Sequence, residues 1–360
     1  MLLALISLNV TNFRCLASVE AVFSAPVSLV VGPNAAGKTS LLEAIAYCGL
    51  GRSFRGATVD KLIRRGESEF VVSALVSREG REFRIGVRNG RSGLEVSVGG
   101  YGGGGAAALA GALPVQVIDP EVHDLVAGGP EQRRRYLDWT VFHVEQGFLD
   151  AWRRYRRVLR QRNACLKSGG ADRDLVAWDR ELIEHAETVT AMREGTFELL
   201  KPVLVEVAER LLGSEVGFEF HRGWKVDLSL EAALSESRER DRRQQSTQVG
   251  PQRADIRLVY DDRVAKKMVS RGQQKLLACA MVLAATNLYQ EVVGEPLLIL
   301  LDDPAAELDD TSLGRLVAEL EDLGSQIIAT SLDPHRPTFS SPPQRFHVEH
   351  GHLSPAGEPE

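Results

Sequence analysis

The 360-residue sequence is poor in the features that mark secreted, membrane and zinc-binding proteins. Its four cysteines, Cys15, Cys48, Cys165 and Cys279, are far apart and form no Cys-x-x-Cys pair, so neither a disulfide framework nor a zinc site is expected. No uninterrupted run approaches the ~20 apolar residues that span a bilayer. The apolar start has no basic region and is soon interrupted by polar residues, which favours a strand over a signal peptide. These absences predict a protein of the reducing cytoplasm.

The sequence also lacks a large excess of positive charge. Its formal net charge is −6, which argues mildly against wholesale nucleic-acid binding. The average nevertheless hides two basic stretches. Residues 133–162 contain nine arginines and three acids, and residues 51–65 contain five basic residues and one acid. Each stretch is either a solvated helix face or a nucleic-acid-binding surface, and the charge alone leaves both interpretations open.

Periodic patterns divide the chain into strand-rich ends and a helical middle. The predicted parts are residues 1–130, a helical lobe over 131–245, a second α/β part over 246–353 and a polar, disordered tail over 354–360. The patterns predict these strands: Leu2–Val10, Val19–Val22, Ser28–Val31, Phe70–Val76, Glu82–Val87, Val115–Ile118, Asp255–Tyr260, Arg263–Val269, Pro296–Leu301 and Ser325–Thr330. Helices are predicted over Ser40–Cys48, Gln273–Leu288 and Asp310–Leu323, a hairpin turn at Asn89-Gly90, and a flexible loop at Gly102–Gly105.

The strongest signal is a phosphate-binding loop between a strand and a helix. The residues are Gly32, Pro33, Asn34, Ala35, Ala36, Gly37, Lys38 and Thr39, followed by Ser40, and they match G-x-x-x-x-G-K-[ST] in full. The glycines let backbone N–H groups surround phosphate oxygens, and the helix N-terminus adds a positive dipole. We expect Lys38 to neutralise the β- and γ-phosphates of ATP and Thr39 to ligate Mg²⁺.

A matching acidic pair follows an apolar strand near the other end of the chain. The strand ends in Asp302-Asp303, which would deliver carboxylates to the carboxyl edge of a sheet. We expect Asp302 to hold Mg²⁺ through its water shell and Asp303 to act as general base. Alternatively the acids cap the turn at Asp303-Pro304, but the phosphate-binding loop favours the functional interpretation. Because Lys38 and Asp302 lie 264 residues apart, a large insertion separates two halves of one nucleotide-binding head.

Two further segments resemble motifs of ABC-type ATPases. Ser270 to Lys275 resembles their signature motif, and Glu307-Leu308-Asp309 resembles their D-loop. The chain is therefore similar to the ATPase heads of the SMC class, and over essentially its whole length it resembles the RecF family of bacterial recombination mediators. The motifs in RecF order are Asn12 to Arg14, the phosphate-binding loop, Gly49 to Phe54, Pro120-Glu121, Asp124 to Val126, Gly129-Pro130, Arg133-Arg134, Leu137-Asp138, Gly250 to Arg253, and Ser270 to Lys275. The resemblance implies an α/β, ABC-type (SMC-like) P-loop ATPase head with a helical second lobe.

The resemblance also implies how ATP is used. Two heads would form a homodimer around two ATP molecules, with Ser270, Gly272 and Gln273 of one subunit facing the γ-phosphate held by the other. Helix capping by Ser270 is compatible with that role. Asp309 would lie at the same interface and Arg14 would reach the nucleotide. Thr330 occupies the switch position, where many ABC-type ATPases carry histidine.

Some residues depart from the family pattern. Asp303 stands where transporter-type ATPases have glutamate, and its shorter side chain implies slow hydrolysis. Gln252 replaces a histidine that RecF chains usually carry, and Gln116 is a weak candidate for the Q-loop glutamine. The helical stretch of about 80 residues is short for a coiled coil and fits the second lobe of RecF.

By the same resemblance the partners are double-stranded DNA near a single-strand gap, together with RecO and RecR, which load the recombinase RecA. The protein would act in the cytoplasm at the nucleoid. A transporter-type ATPase is disfavoured because the sequence lacks Leu-Ser-Gly-Gly-Gln, the catalytic glutamate and the histidine switch. A nuclease-fused head would need an acid-rich metal domain, for which no segment is left. An interaction protein in which ATP is only a structural dimer glue stays open.

Overall fold

The computed structural model describes residues 3–260, 270–306 and 308–356, and the backbone of residues 263–264. Its contacts divide the chain into a first unit, Met1–Val122 with Gly294–Glu360, and a second unit, His123–Val293. These boundaries differ from the predicted divisions after residues 130 and 245. Of the predicted part 246–353, residues 246–293 belong to the second unit, because their long apolar helix packs against the helices of that unit, and residues 294–353 belong to the first.

One layer of the first unit is a six-stranded antiparallel sheet with the order β2-β1-β4-β5-β6-β7. Its strands are β1 (Ala4–Phe13), β2 (Leu16–Val22), β4 (Glu69–Arg78), β5 (Arg81–Gly90), β6 (Gly93–Val98) and β7 (Tyr101–Gly102). Alternate residues of β4, such as Phe70 and Val72, are buried while their neighbours are half-buried, as expected for a strand with one face on a core.

The other layer is a mostly parallel sheet with the order β15-β14-β3-β13-β12-β8. Its strands are β3 (Val27–Val31), β8 (Val115–Ile118), β12 (Leu298–Leu301), β13 (Gln326–Ser331), β14 (Gln344–Glu349) and β15 (His352–Pro355). Strands β3, β13, β12 and β8 run parallel, so their carboxyl ends meet at one edge. Most of their residues are apolar and buried, as is usual for parallel strands covered on both faces.

The helices of the first unit are α1 (Lys38–Leu50), α2 (Val59–Leu62), α3 (Gly105–Ala112) and α10 (Asp310–Asp322). Helix α1 contacts strands of both sheets, and every residue from Leu41 to Gly49 is buried. It ends at Gly51, whose left-handed backbone (φ 63°) suits a glycine C-cap. The core of this unit therefore surrounds the helix that follows the phosphate-binding loop.

The second unit is mostly helical. Its elements are α4 (Asp124–Ala127), α5 (Pro130–Val144), α6 (Phe148–Lys167), α7 (Asp172–Leu212), α8 (Leu230–Gln244), α9 (Arg271–Val293) and the antiparallel strands β9 (Gly217–His221), β10 (Asp255–Tyr260) and β11 (Arg263–Val264). Among the described residues, α9 is the one helix long and apolar enough to cross a membrane by length and composition. Since 72% of its apolar window is buried within the protein, α9 has the character of a core helix.

The basic stretch 133–162 is split between the interior and the surface. Arg133 is buried and pairs with Asp255, at 2.7 Å, whereas Arg134 donates to the carbonyl of Ala254. Arg162 is fully buried. These three arginines bond within the second unit. The buried ones, Arg133 and Arg162, do not contribute to an exposed basic patch, because a buried guanidinium must be neutralised and hydrogen-bonded.

The predicted strands and helices are found, with boundaries shifted by a few residues, and three local predictions need correction. The hairpin turn lies at Arg91-Ser92, because Gly90 pairs with Gly93 and so belongs to the strand. The predicted loop 102–105 is shorter, since Gly102 ends β7 and Gly105 begins α3. The predicted tail begins too early, because Ser354 and Pro355 pair within β15. Leu2, residues 265–269, Glu307 and residues 357–360 lie outside the described residues.

Candidate nucleotide site

The phosphate-binding loop joins the end of β3 to the start of α1. Gly37 precedes the helix with a left-handed backbone (φ 119°) and provides no side-chain cap. Because glycine has no side chain that could accept from the first N–H groups of α1, these groups are suited to bind an anion. Lys38 is buried, and its Nζ donates to the carbonyl oxygens of Gly32, at 2.7 Å, and Pro33, at 3.0 Å. The lysine thus lies over the loop that would surround the phosphates.

Two glycines of the loop lie close to neighbouring parts of the chain. A Cβ atom on Gly32 would lie 2.2 Å from the carbonyl oxygen of Val348. One on Gly37 would lie 3.2 Å from the sulfur of Cys15. Ala35 also has a left-handed backbone (φ 62°), and the carbonyl of Ala36 accepts from the N–H of Gly351. Pro33 and Asn34 are exposed, whereas Thr39 and Ser40 are half-buried.

Asp302 meets the loop directly. It follows β12 and is buried, and its Oδ1 accepts from the hydroxyl of Thr39, at 3.0 Å, and from that of Thr330, at 2.8 Å. Thr330 lies in β13, the strand between β12 and β3, so parallel pairing brings all three residues to one edge of the sheet. The structure therefore brings together the predicted residues Thr39, Asp302 and Thr330.

Asp303 is held by the same threonine. Its backbone is left-handed (φ 47°), which is uncommon for a residue other than glycine, and its N–H donates to the Thr330 hydroxyl at 3.0 Å. Backbone strain of this kind persists only where the surroundings fix it, and it is concentrated at functional sites. Thr330 is fully buried and contacts the two acids, so in this structure it positions them.

Burial and the neighbouring acids have opposite effects on the charge of Lys38. Burial lowers the pKa of Lys38 below its ordinary value, and the nearby carboxylates of Asp303 and Asp302 partly counteract this effect. The two carboxylates thus stabilise the charged form of the buried lysine against the cost of its desolvation. That arrangement suits binding of a polyphosphate with a cation, in which both signs of charge find a partner.

Sequence reasoning missed one acid of this edge, Asp119. It follows β8, where Ile118 pairs with Leu301 and accepts from the N–H of Asp302 at 2.8 Å. Burial, with Glu121 and Asp302 as neighbours, raises the pKa of Asp119 to about 6. The signal was the same as for Asp302, an apolar strand followed by an acid. The weak candidate Gln116 lies within β8, opposite Ile299, and not at the strand's end.

Arg14 lies in the turn between β1 and β2, with a left-handed backbone (φ 53°). Its guanidinium donates through Nε and Nη2 to both carboxylate oxygens of Glu43, a fully buried residue of α1. The predicted contact of Arg14 with a nucleotide stays a prediction.

The remaining predicted residues cap helices. Ser270 and Gln273 form a reciprocal capping box at the start of α9, with the Gln273 side chain accepting from the Ser270 N–H at 2.8 Å. Gly272 has open space where a Cβ would be. Asp309 caps α10, accepting from the N–H and hydroxyl of Ser312, and these bonds lower its pKa. Glu307 of the same predicted motif lies outside the described residues.

The residues present fit ATP with Mg²⁺. The part of the chain that the structure describes contains no group of three or more His, Cys, Asp or Glu side chains able to hold a metal. Thr39 would hold Mg²⁺ directly and Asp302 through water, and Mg²⁺, which prefers six oxygen ligands, would take the others from phosphates and water. Gln252, at the position of the family's histidine, is engaged elsewhere: its amide donates to the carbonyls of Thr247 and Val249.

Comparison with known proteins decides the family. The family model described as the RecF/RecN/SMC N terminal domain matches residues 4–341. The DNA replication and repair protein RecF of Vibrio cholerae is 36% identical over 353 residues, which cover 96% of this chain and 97% of that protein. The RecF protein of Pseudomonas paraeruginosa is 38% identical over 360 residues, with 98% of each chain covered. The chain belongs to the RecF family.

Solved structures agree with this assignment. A structure described as the recombination mediator protein RecF-ATP in the RecFOR pathway has a TM-score of 0.90 at 26% identity, covering 99% of this chain and 98% of that one. An Smc head bound to the winged-helix domain of ScpA has a TM-score of 0.60 at 17% identity and shares the fold alone. The predicted RecF resemblance and the predicted class, an α/β SMC-like ABC-type ATPase head with a helical lobe, are confirmed.

Proposed function

We propose that this RecF-family chain is an ATP-dependent, DNA-binding recombination mediator of DNA replication and repair. The observation that carries the proposal is the 3.0 Å hydrogen bond between Thr39 and Asp302, which closes one phosphate and metal site from residues 263 positions apart. The RecF relatives, named as DNA replication and repair proteins, and the solved RecF-ATP neighbour support it.

The residues of the site have distinct roles in this proposal. Bound ATP with Mg²⁺ would supply the transferable phosphoryl group and the cation that neutralises it. Lys38, which now donates to two carbonyl oxygens of the loop, would donate to β- and γ-phosphate oxygens instead. Thr39 would ligate the metal directly and Asp302 through water, while Asp303 would accept the proton of the attacking water. The short side chain of Asp303 favours slow hydrolysis.

ATP-dependent homodimerisation follows from the placement of the signature residues. Ser270 and Gln273 are exposed at the N-terminus of α9, and Gly272 leaves open space beside them. Backbone N–H groups at a helix start and a serine hydroxyl both donate to anions. In the proposed dimer they meet the γ-phosphate bound by the partner copy, and Asp309 lies at the same interface. Arg14 contacts the nucleotide held by its own chain.

Double-stranded DNA is proposed to contact α6. This helix carries five exposed arginines and one acid, Asp150, and an open groove of about 290 Å³ between α6 and α7 includes Trp178. The exposed arginines are Arg153, Arg154, Arg156, Arg157 and Arg160. Such a face neutralises phosphates without reading sequence, which suits binding near single-strand gaps of any sequence.

The pathway partners are proposed from the relatives. Since the RecF-ATP neighbour is described as a member of the RecFOR pathway, we propose RecO and RecR as partners and loading of RecA as the outcome. The protein then acts in the cytoplasm at the nucleoid.

The test is the mass of the chain by light scattering, with and without ATP and Mg²⁺ and with and without duplex DNA. The Asp303→Asn variant suppresses hydrolysis. A monomer that becomes a dimer only with ATP, and then retains duplex, supports the proposal. A mass indifferent to ATP contradicts it. If the unaltered chain forms ATP-dependent dimers but hydrolyses no ATP even with DNA, the role of ATP is to hold the dimer together.

The DNA surface has its own test. Replacing Arg154 and Arg157 together by glutamine should weaken duplex binding and lower the slope of log affinity against log salt by about 2, since each phosphate contact contributes about 0.9. The matched control replaces Arg240 and Arg243, exposed on α8, and removes the same charge. Equal effects of the two pairs would show that only net charge matters.

A further inference from the structure

One fully buried carboxylate near the nucleotide site has no role in the proposed function. Glu43 lies on α1 four residues after Thr39, with no exposed surface. Its two oxygens accept from Arg14, and Oε1 also accepts from the hydroxyl of Ser53. A buried carboxylate is costly unless it is paired and hydrogen-bonded, and Glu43 is both.

Arg14 is held close to the phosphate-binding loop. The turn that carries it is fixed by two hydrogen bonds: the Arg14 N–H donates to the carbonyl of Leu62 at 2.6 Å, and Arg64 Nη1 donates to that of Cys15 at 2.7 Å. The next residue of the turn, Cys15, has its sulfur 3.5 Å from the hydroxyl of Ser40. The turn therefore packs on the loop that would bind phosphate.

The ion pair is asymmetric in its exposure and in its bonds. The side chain of Arg14 is 23% exposed, whereas that of Glu43 is 0% exposed. Arg14 uses Nε and Nη2 for Glu43, and Nη1 has no hydrogen-bond partner among the described residues. The carboxylate is thus enclosed in the protein, and the guanidinium reaches the surface with one nitrogen left to donate.

We propose that Glu43 is a positioning residue for ATP binding, holding the Arg14 guanidinium in a fixed orientation beside the phosphate-binding loop. The inference rests on the proposed function, in which that loop binds ATP. A two-pronged pairing fixes a planar guanidinium more tightly than a single bond, so less rotamer entropy is lost when the free nitrogen meets a phosphate. Glu43 itself touches no ligand and acts through Arg14.

A purely structural ion pair would predict something different. In that case loss of Glu43 would lower the stability of the head but leave the ATP affinity of the folded chains unchanged. A positioning residue instead lowers that affinity when it is lost, and its loss has no such effect once the group that it positions has been removed. The distinction is therefore the ATP affinity of folded variants and the coupling of the two substitutions in that affinity, which a double-mutant cycle measures.

The experiment compares the wild type, Glu43→Gln, Arg14→Met and the double variant by titration with a fluorescent ATP analogue in the presence of Mg²⁺. We expect each single substitution to weaken binding by about tenfold, the scale of one hydrogen bond to a charged group. The double variant should bind as weakly as Arg14→Met alone. The control is Ser53→Ala, which also removes a bond to Glu43 but leaves the pair intact, and it should bind within about twofold of the wild type.

The outcomes separate the two proposals. A wild-type chain that binds no ATP would overturn the proposed function and this inference with it. If the wild type binds ATP and folded Glu43→Gln binds equally well, or if the two substitutions add in full, only the positioning role is wrong. Circular dichroism confirms folding. Should Glu43→Gln fail to fold, Glu43→Asp keeps the charge but shortens the reach, and the same cycle with it must give the same non-additivity.

Discussion

The residues assigned to ATP differ in exposure between the two units. In the first unit Lys38, Asp302 and Thr330 are buried and bonded within the unit before any ligand is present. In the second unit Ser270 and Gln273 are exposed, and among the described residues their side chains bond within their own helical turn. The first set is organised by the chain itself, whereas the second set offers donors to another molecule. In the proposed dimer, one chain thus carries two half-sites of different character.

The arginines of α6 show the same contrast within one helix. Arg162 is fully buried and donates to Asp179, Asp241 and Thr247, at 2.6 to 2.8 Å. Arg160, two residues earlier, is exposed. A guanidinium can therefore be part of a core or part of an exposed surface within a single helical turn, and packing decides which.

The largest expected effect tests that contrast. Arg162→Met should destabilise the second unit by about 3–5 kcal/mol, because it leaves the fully buried Asp241 without its cation. Arg160→Met, the matched control, should change stability by no more than about 0.5 kcal/mol. All four tryptophans lie between residues 123 and 293, so their fluorescence during urea unfolding reports this unit. Equal shifts of the two variants would contradict the assignment of Arg162 to the core.

The second prediction concerns the exposed half-site. Ser270→Arg should leave ATP binding within about twofold but weaken ATP-dependent dimerisation by about 100-fold, a loss of about 2.8 kcal/mol. Light scattering over a concentration series measures it. Ser229→Arg is the control, since Ser229 likewise caps a helix of the same unit, accepting from the Ala232 N–H. A Ser270→Arg chain that dimerises normally would exclude the trans role of the signature residues.

The third prediction concerns the buried half-site. Thr330→Val keeps the volume but leaves the N–H of Asp303 without its acceptor, which should cost about 1–3 kcal/mol of stability. ATP turnover should also fall, by about tenfold or more, because both acids lose the group that positions them. Thr330→Ser restores the hydroxyl and should restore most of the turnover. If Thr330→Val turns over normally, the hydroxyl does not position the acids.

The smallest expected effect is a pH dependence at Asp119. Its pKa is raised by burial to about 6, so between pH 4 and 6 the folded state holds a proton that the unfolded state releases. Stability from this group is therefore present below about pH 4 and is lost as the pH rises through 6. Without nucleotide, the advantage of wild type over Asp119→Asn should shrink by on the order of 1 kcal/mol from pH 4 to 7. Thermal unfolding at several pH values measures it, and parallel profiles would count against the raised pKa.

Local patterns predicted the parts of the fold that depend on local chemistry. A complete phosphate-loop motif fixes a strand, a turn and a helix, so Lys38 and Thr39 could be assigned from sequence. The apolar run before Asp302 predicted a buried strand, and β12 is buried and pairs in parallel with both neighbours. The same rule would have found Asp119, whose apolar strand is just four residues long. Capping by Ser270 was also readable, because Ser-x-x-Gln is a local signal.

What the sequence by itself determined is the class of site: which segment matches a phosphate-binding loop, which strands end in acids and which family the motifs resemble. The tertiary structure decided the pairings. Thr330 bridges Asp302 and Asp303 because β13 lies between β12 and β3. Glu43 pairs with Arg14 because α1 packs against the segment that carries the turn between β1 and β2. It also decided which arginines are exposed. These outcomes depend on burial and on contacts between residues far apart in the chain, and no local propensity encodes them.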